Sequence, residues 1–278
     1  MARKKSTNKN EMSFLGHLEE LRWHLIRSFA AIFIIACFIF VFIKPVYDHF
    51  LIVHLDGQFV TYRFFCDAFQ LLGIDSDFCT LTFDDKLVNL KVTGQFTMAI
   101  WTSLILGLIL AFPYVLYEAW RFIAPGLNSK ERGKSRWFIF LASLLFLVGL
   151  AFSYYVIMPM SSYFFYNFKV TDSIANTITV QSHISLLTNT LLGVSLVFEL
   201  PLIIYFLSKV GLITPAFLRK YRKHALVVVL ILAAIITPPD VASQIVVAIP
   251  ILILYEVGIL ISKRVEKNYK KKFKQKNG

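Results

Sequence analysis

Cysteine and charge are both scarce in this 278-residue chain, which holds three cysteines and only 17% Asp, Glu, Lys and Arg. The cysteines carry no zinc-ligand spacing. No glycine-rich phosphate cradle and no nucleophile elbow occurs, and no ATP site is visible. Gly/Ser linkers and internal repeats are also missing, so a single domain is expected across 1–278. The first 27 residues are charged and lack a small-residue cleavage pattern, so they do not read as a secretory leader. What the chain has instead is apolar bulk: 57% hydrophobic residues, 27 Phe and a mean hydropathy of +0.65. That composition belongs to polytopic membrane proteins. The net charge of +12 invites a nucleic-acid reading, but its distribution along the chain argues against one.

Six apolar segments follow one another, roughly Ser28 to Ile43, Phe96 to Tyr117, Trp137 to Met158, Ile184 to Leu207, Ala225 to Ile236 and Val241 to Ile261. A helical span needs about 20 apolar residues. Ala225 to Ile236 is short by that measure, about 18 Å of helix. The turn signal Thr237-Pro238-Pro239-Asp240 joins it to another uncharged run, so the last two segments read as a short helical hairpin. The expected fold is an all-α membrane protein of six transmembrane helices, with a kinked, concave bundle.

Lys and Arg set the orientation. Of the 29, 24 fall within 1–27, 118–136, 208–224 and 262–278. The positive-inside rule then places both termini in the cytoplasm. On this reading 1–25 is a cytoplasmic amphipathic helix, 44–94 an extracytoplasmic loop, 118–136 the first cytoplasmic loop and 262–278 a basic tail. Each tail lysine near anionic lipid contributes about 1 kcal/mol of attraction. The 44–94 loop holds seven aspartates with Cys66 and Cys79, a candidate disulfide on an oxidising face. Thr80 to Phe83 and Leu87 to Val92 alternate weakly, as a small hairpin would.

Acidic residues stand out against this background. The segment Phe14-Leu15-Gly16-His17-Leu18-Glu19-Glu20-Leu21-Arg22 precedes the first span, with Phe14, Leu18, Leu21 and Leu25 on a helical stripe. Glu20 lies on the adjoining polar face with His17 and His24, a spacing that offers three metal ligands but no fourth. After the second span comes Tyr117-Glu118-Ala119-Trp120-Arg121-Phe122-Ile123-Ala124-Pro125-Gly126-Leu127-Asn128-Ser129-Lys130-Glu131-Arg132. Trp120, Phe122 and Leu127 give it an apolar wall, and Glu131 either faces a partner or pairs with Lys130, Arg132 or Arg136. Glu199 sits inside the fourth span, where a charge costs roughly 2.5 to 3.5 kcal/mol on insertion scales. Pro201 beside it frees backbone carbonyls and kinks the helix. Glu256, near the basic end of the sixth segment, is expected to snorkel or pair at the interface.

Four motifs in order (HLEELR before the first span, FIAPGLNSKER after the second, the apolar-Glu-Leu-Pro step at Phe198 to Pro201, and TPPD with Gln244) resemble the TatC family, the C subunit of the twin-arginine protein translocase. The resemblance covers essentially the whole bundle. It implies a receptor for signal peptides bearing consecutive arginines, acting on folded cargo, with energy from the proton gradient. Glu20 and Glu131 match the carboxylates that receive the arginine pair, and Phe122 matches a loop position in the same recognition. It further implies that Glu199 lines the hollow side of the bundle and that Thr237 and Gln244 meet single-span TatA/TatB-like partner helices. A self-associating receptor complex in the bacterial cytoplasmic membrane, without cofactor or metal, completes the expectation. The long outer loop with its cysteines departs from the family pattern.

Guanidinium chemistry agrees with the resemblance. A carboxylate meets the planar donor fork of arginine with two parallel hydrogen bonds, which lysine cannot imitate. A competing reading makes Glu199 the proton site of a secondary transporter. That reading wants paired broken helices or internal symmetry, and neither is evident. His183 with Ser185 does not make a nucleophile–base pair, so no enzyme activity is expected.

Overall fold

The computed structural model describes residues 14–71, 73, 79, 87–123, 135–171, 173, 177–236 and 241–277. Among these the chain is helical: α1 (Phe14–Val41), α2 (Ile43–Val46), α3 (Val60–Leu71), α4 (Gly94–Ile123), α5 (Ser135–Phe152), α6 (Met158–Asn167), α7 (Val180–Phe198), α8 (Leu200–Val210), α9 (Pro215–Lys220), α10 (Arg222–Ile236) and α11 (Val241–Asn277). Among the described residues five runs are long and apolar enough to cross a membrane: Leu18–Val41, Gly94–Ile123, Trp137–Asn167, Val180–Val210 and Gln244–Lys270. Helix α10, with 15 residues, is about 22 Å long and falls short of a full hydrocarbon core. The amphipathic N-terminal segment and the first span are one unbroken helix, α1.

The surface is as apolar as the interior. Phe29, Phe33, Ile34 and Phe38 on α1 are each about two-thirds exposed, an arrangement that makes sense only with lipid as the solvent. Inside, Ile39, Ile105, Ile109, Phe112, Phe146, Ile184, Leu187 and Leu191 bind α1, α4, α5 and α7 into one core. Phe112 stacks on Phe146 with centroids 3.7 Å apart. A second core joins Val194 and Phe198 of α7 to Val229 and Ala233 of α10 and Val247, Ala248 and Ile251 of α11. Helices α1 and α4 approach closely at Gly107, where an added Cβ would lie 2.9 Å from the Ala36 Cβ and 3.0 Å from the Ile32 carbonyl oxygen.

Two interruptions shape the bundle. Helix α7 ends at Phe198, Glu199 occupies the joint, and α8 resumes with Pro201 near its start. Proline has no N–H to continue the ladder, so the break falls where Pro201 predicts it. The second interruption is a π-helical turn, Ser153–Ile157, between α5 and α6. Met158 N–H bonds the Ser153 carbonyl, a register that passes over the Tyr154 carbonyl, and Pro159, having no N–H, leaves that of Tyr155 without a helical donor. The segment between α1 and α4 supplies replacements: His54 Nε2 donates to the Tyr154 carbonyl at 3.1 Å, and the Thr61 hydroxyl donates to that of Tyr155. The Tyr62 hydroxyl reaches the Pro159 carbonyl at 3.0 Å. These residues are buried, so the 47–71 segment is a packed cap on the end of the bundle.

In the same region Cys66 and Cys79 are bonded, with Cα atoms 5.0 Å apart, while Cys37 is free and exposed. Val88 pairs with Thr179 in an isolated parallel bridge, tying the approach to α4 to the start of α7. Thr80 to Phe83, the other half of the weakly alternating pair of segments, lie outside the described residues.

Candidate functional site

At the end of the bundle opposite the cap, α1 projects its first turns beside the last turn of α4. Gly16, Glu19, Glu20, Trp23, His24 and Arg27 of α1 and Arg121 of α4 line an open concavity of about 360 Å³. The helical period places Gly16, Glu20, Trp23 and Arg27 on one face. Glu19 and Glu20 are exposed there, and neither has an ion-pair partner among the described residues. Two carboxylates and an exposed indole thus meet solvent together.

Beneath this surface lies a pair that the sequence reading did not single out. Glu118, on the last full turn of α4, is 2% exposed. His24 Nδ1 donates to its Oε2 at 2.5 Å, and the Tyr114 hydroxyl bonds it as well. Arg121, one turn further on, brings its Nη1 to 3.8 Å from Oε1. The His24 ring also meets the Phe122 ring edge-on, with centroids 6.3 Å apart. His24 therefore links three parts of the site: the polar face of α1, the buried carboxylate of α4, and Phe122 near the end of α4. A signal was present, since a glutamate at the end of an apolar run needs a partner, but the histidine that answers it is 94 residues away.

Trp120 departs from the expected wall. It is buried against Phe138 and Phe206, at 4.4 and 5.6 Å between centroids, and anchors α4 to α5 and α8. Phe122, two residues on, takes the other side of the helix and reaches α1. Glu131 and Thr237 lie outside the described residues.

The remaining polar positions are separate from this concavity. Glu199 is 5% exposed at the joint between α7 and α8, and neither carboxylate oxygen has a hydrogen-bond partner among the described residues. Gln244 donates from Nε2 to the Leu230 carbonyl at 3.0 Å, tying α11 to α10. Glu256 pairs with Arg222 at 2.6 Å, both half exposed.

Fold and site together define a polytopic helical membrane protein that presents carboxylates at one end of its bundle. Residues 16–250 match the family model described as "Sec-independent protein translocase protein (TatC)". The TatC protein of Blattabacterium (strain BPLAN) is 39% identical over 260 residues, covering 93% of this chain and 98% of the relative. TatCy of Bacillus subtilis is 35% identical over 257 residues, covering 91% and 90%. Among solved structures, the crystal structure of the twin-arginine translocase receptor TatC superposes with a TM-score of 0.67 at 31% identity, covering 90% of this chain and 99% of that one. A second crystal structure of that receptor, in DDM, gives a TM-score of 0.70. The chain belongs to the TatC family and is a component of twin-arginine protein translocation.

Proposed function

We propose that this chain is the signal-peptide receptor and core scaffold of twin-arginine export, with Glu20, Glu131 and Phe122 seating the consecutive arginines of folded cargo. The observation that supports the reading is the shared concavity: Glu20 of α1 and Arg121 near the end of α4 line the same surface, and Phe122 meets the His24 ring beside it. Charge-assisted hydrogen bonds shielded from water contribute on the order of 1.5 to 3 kcal/mol each. Two carboxylates on separate elements therefore prefer two guanidinium forks to two ammonium groups. The experiment is capture of the purified protein by an immobilised twin-arginine signal peptide beside its twin-lysine variant. Selective capture that falls at least tenfold in Glu20→Gln or Glu131→Gln supports the reading, and equal capture by both peptides overturns it.

The wider assembly follows from the same reading. The bundle has six spans, α10 being the short fifth, in the bacterial cytoplasmic membrane with 1–25, 118–136 and 262–278 in the cytoplasm and 44–94 outside. Single-span TatA/TatB-like subunits dock along the α10–α11 edge near Thr237 and Gln244, and the proton gradient drives transport through the assembled, self-associating complex. Glu199 serves partner assembly. The protein acts as a receptor, not an enzyme. Crosslinkers placed at 244 and 237 that capture no single-span helix would count against the docking edge. Solute accumulation in liposomes under a proton gradient would instead favour a transporter built on Glu199, a reading no observation here favours.

A further inference from the structure

We infer that Glu118 is a positioning residue for arginine recognition: a buried counter-ion that offsets Arg121 and so tips the charge of the concavity toward its carboxylates, which then attract a basic peptide. The inference rests on the peptide-binding reading above. The lining carries Glu19 and Glu20, but also Arg27, Arg121 and His24. Left to themselves, these charges balance or favour the cations, and the surface would not attract an arginine pair.

Glu118 changes that balance from below. Its carboxylate is held by His24 at 2.5 Å and lies 3.8 Å from Arg121. Arg121 is further held over the Tyr117 ring, with its guanidinium carbon 5.7 Å from the centroid. A buried charge acts through a medium of lower dielectric than water and is screened less by salt than a surface pair. Glu118 also fixes the His24 ring that touches Phe122, so one side chain sets both the field and the shape of the surface.

Glu118→Gln is the informative change, because the amide oxygen still accepts from His24 while the charge is gone. In the purified full-length protein, Glu118→Gln is expected to weaken twin-arginine peptide binding about tenfold at low salt and by less at high salt, since the exposed Arg121 it unmasks is screened. The double variant Glu118→Gln with Arg121→Gln should recover most of that loss, which a merely structural role would not permit. Unchanged affinity in Glu118→Gln, or a double variant as weak as the single, overturns the inference. If Glu118→Gln does not fold, Arg121→Gln alone decides: affinity should rise about twofold to threefold, and no rise overturns the inference. Glu20→Gln runs in parallel. Full binding in that variant indicts the peptide-binding reading itself, whereas loss there with no effect at 118 and 121 indicts only the role of Glu118.

Discussion

The Thr61 hydroxyl donates to the Tyr155 main-chain carbonyl, the acceptor that Pro159 leaves without a helical donor. A side chain from one connection thus completes the backbone bonding of a span 94 residues later. Thr61→Val keeps the shape and removes the donor. The expected loss is about 1 to 3 kcal/mol, the penalty for leaving a buried carbonyl unsatisfied. A lowered midpoint of thermal unfolding in detergent checks it, with Thr61→Ser staying near wild type.

His54 makes the same cap sensitive to acid. Burial, and secondarily the nearby His183, pull its pKa down from 6.5 to about 4, against the opposing pull of its bond to the Tyr154 carbonyl. Between those two values the opened cap binds a proton that the closed cap refuses, so stability is complete above pH 6.5 and is lost as pH falls toward 4. The full loss is on the order of 3 kcal/mol. Hydrogen exchange of residues 53–71 should accelerate over that window and flatten in His54→Gln. An unaltered slope in that variant would assign the effect elsewhere.

Gly107 sets the distance between α1 and α4, on which the His24–Glu118 contact depends. An added methyl would meet Ala36 and the Ile32 carbonyl at 2.9 to 3.0 Å, and the backbone there cannot yield. Gly107→Ala is expected to cost about 1 to 3 kcal/mol and to weaken peptide binding with it. Gly258→Ala is the control: its added methyl meets the terminal Cδ1 of Ile204, which can rotate away. Thermal midpoints and peptide affinities of the two variants should separate; parallel losses would refute the argument.

Glu199 is a liability that the bundle retains. Buried without a hydrogen-bond partner among the described residues, it offers the isolated protein no stability. Glu199→Leu should leave the thermal midpoint equal or higher, by up to about 2 kcal/mol, while export of a folded twin-arginine cargo falls. A destabilised Glu199→Leu would mean that the carboxyl has a bonding role in the fold.

Much of the frame was legible in the sequence, because it follows from local rules. Pro201 forecast the break at Glu199, and the helical stripe forecast that the segment bearing Glu20 is helical. What escaped depends on which distant surfaces meet. Nothing local turns Trp120 toward α5 and α8 and Phe122 toward α1, since both are aromatic and only the packing of Phe138 and Phe206 decides between them. Glu118 was in view as a residue, but its partner His24 is brought to it by the Gly107 contact. The roles of Thr61, Tyr62 and His54 follow from a π turn that no residue pattern announces.

Helix α1 runs without interruption from Phe14 to Val41, a rod of about 42 Å. It has no proline and, past Gly16, no glycine, so nothing along its length invites a hinge. A ligand that tilts the acidic end must therefore swing the other end as well, and the first joint able to absorb that swing is the turn at Phe42.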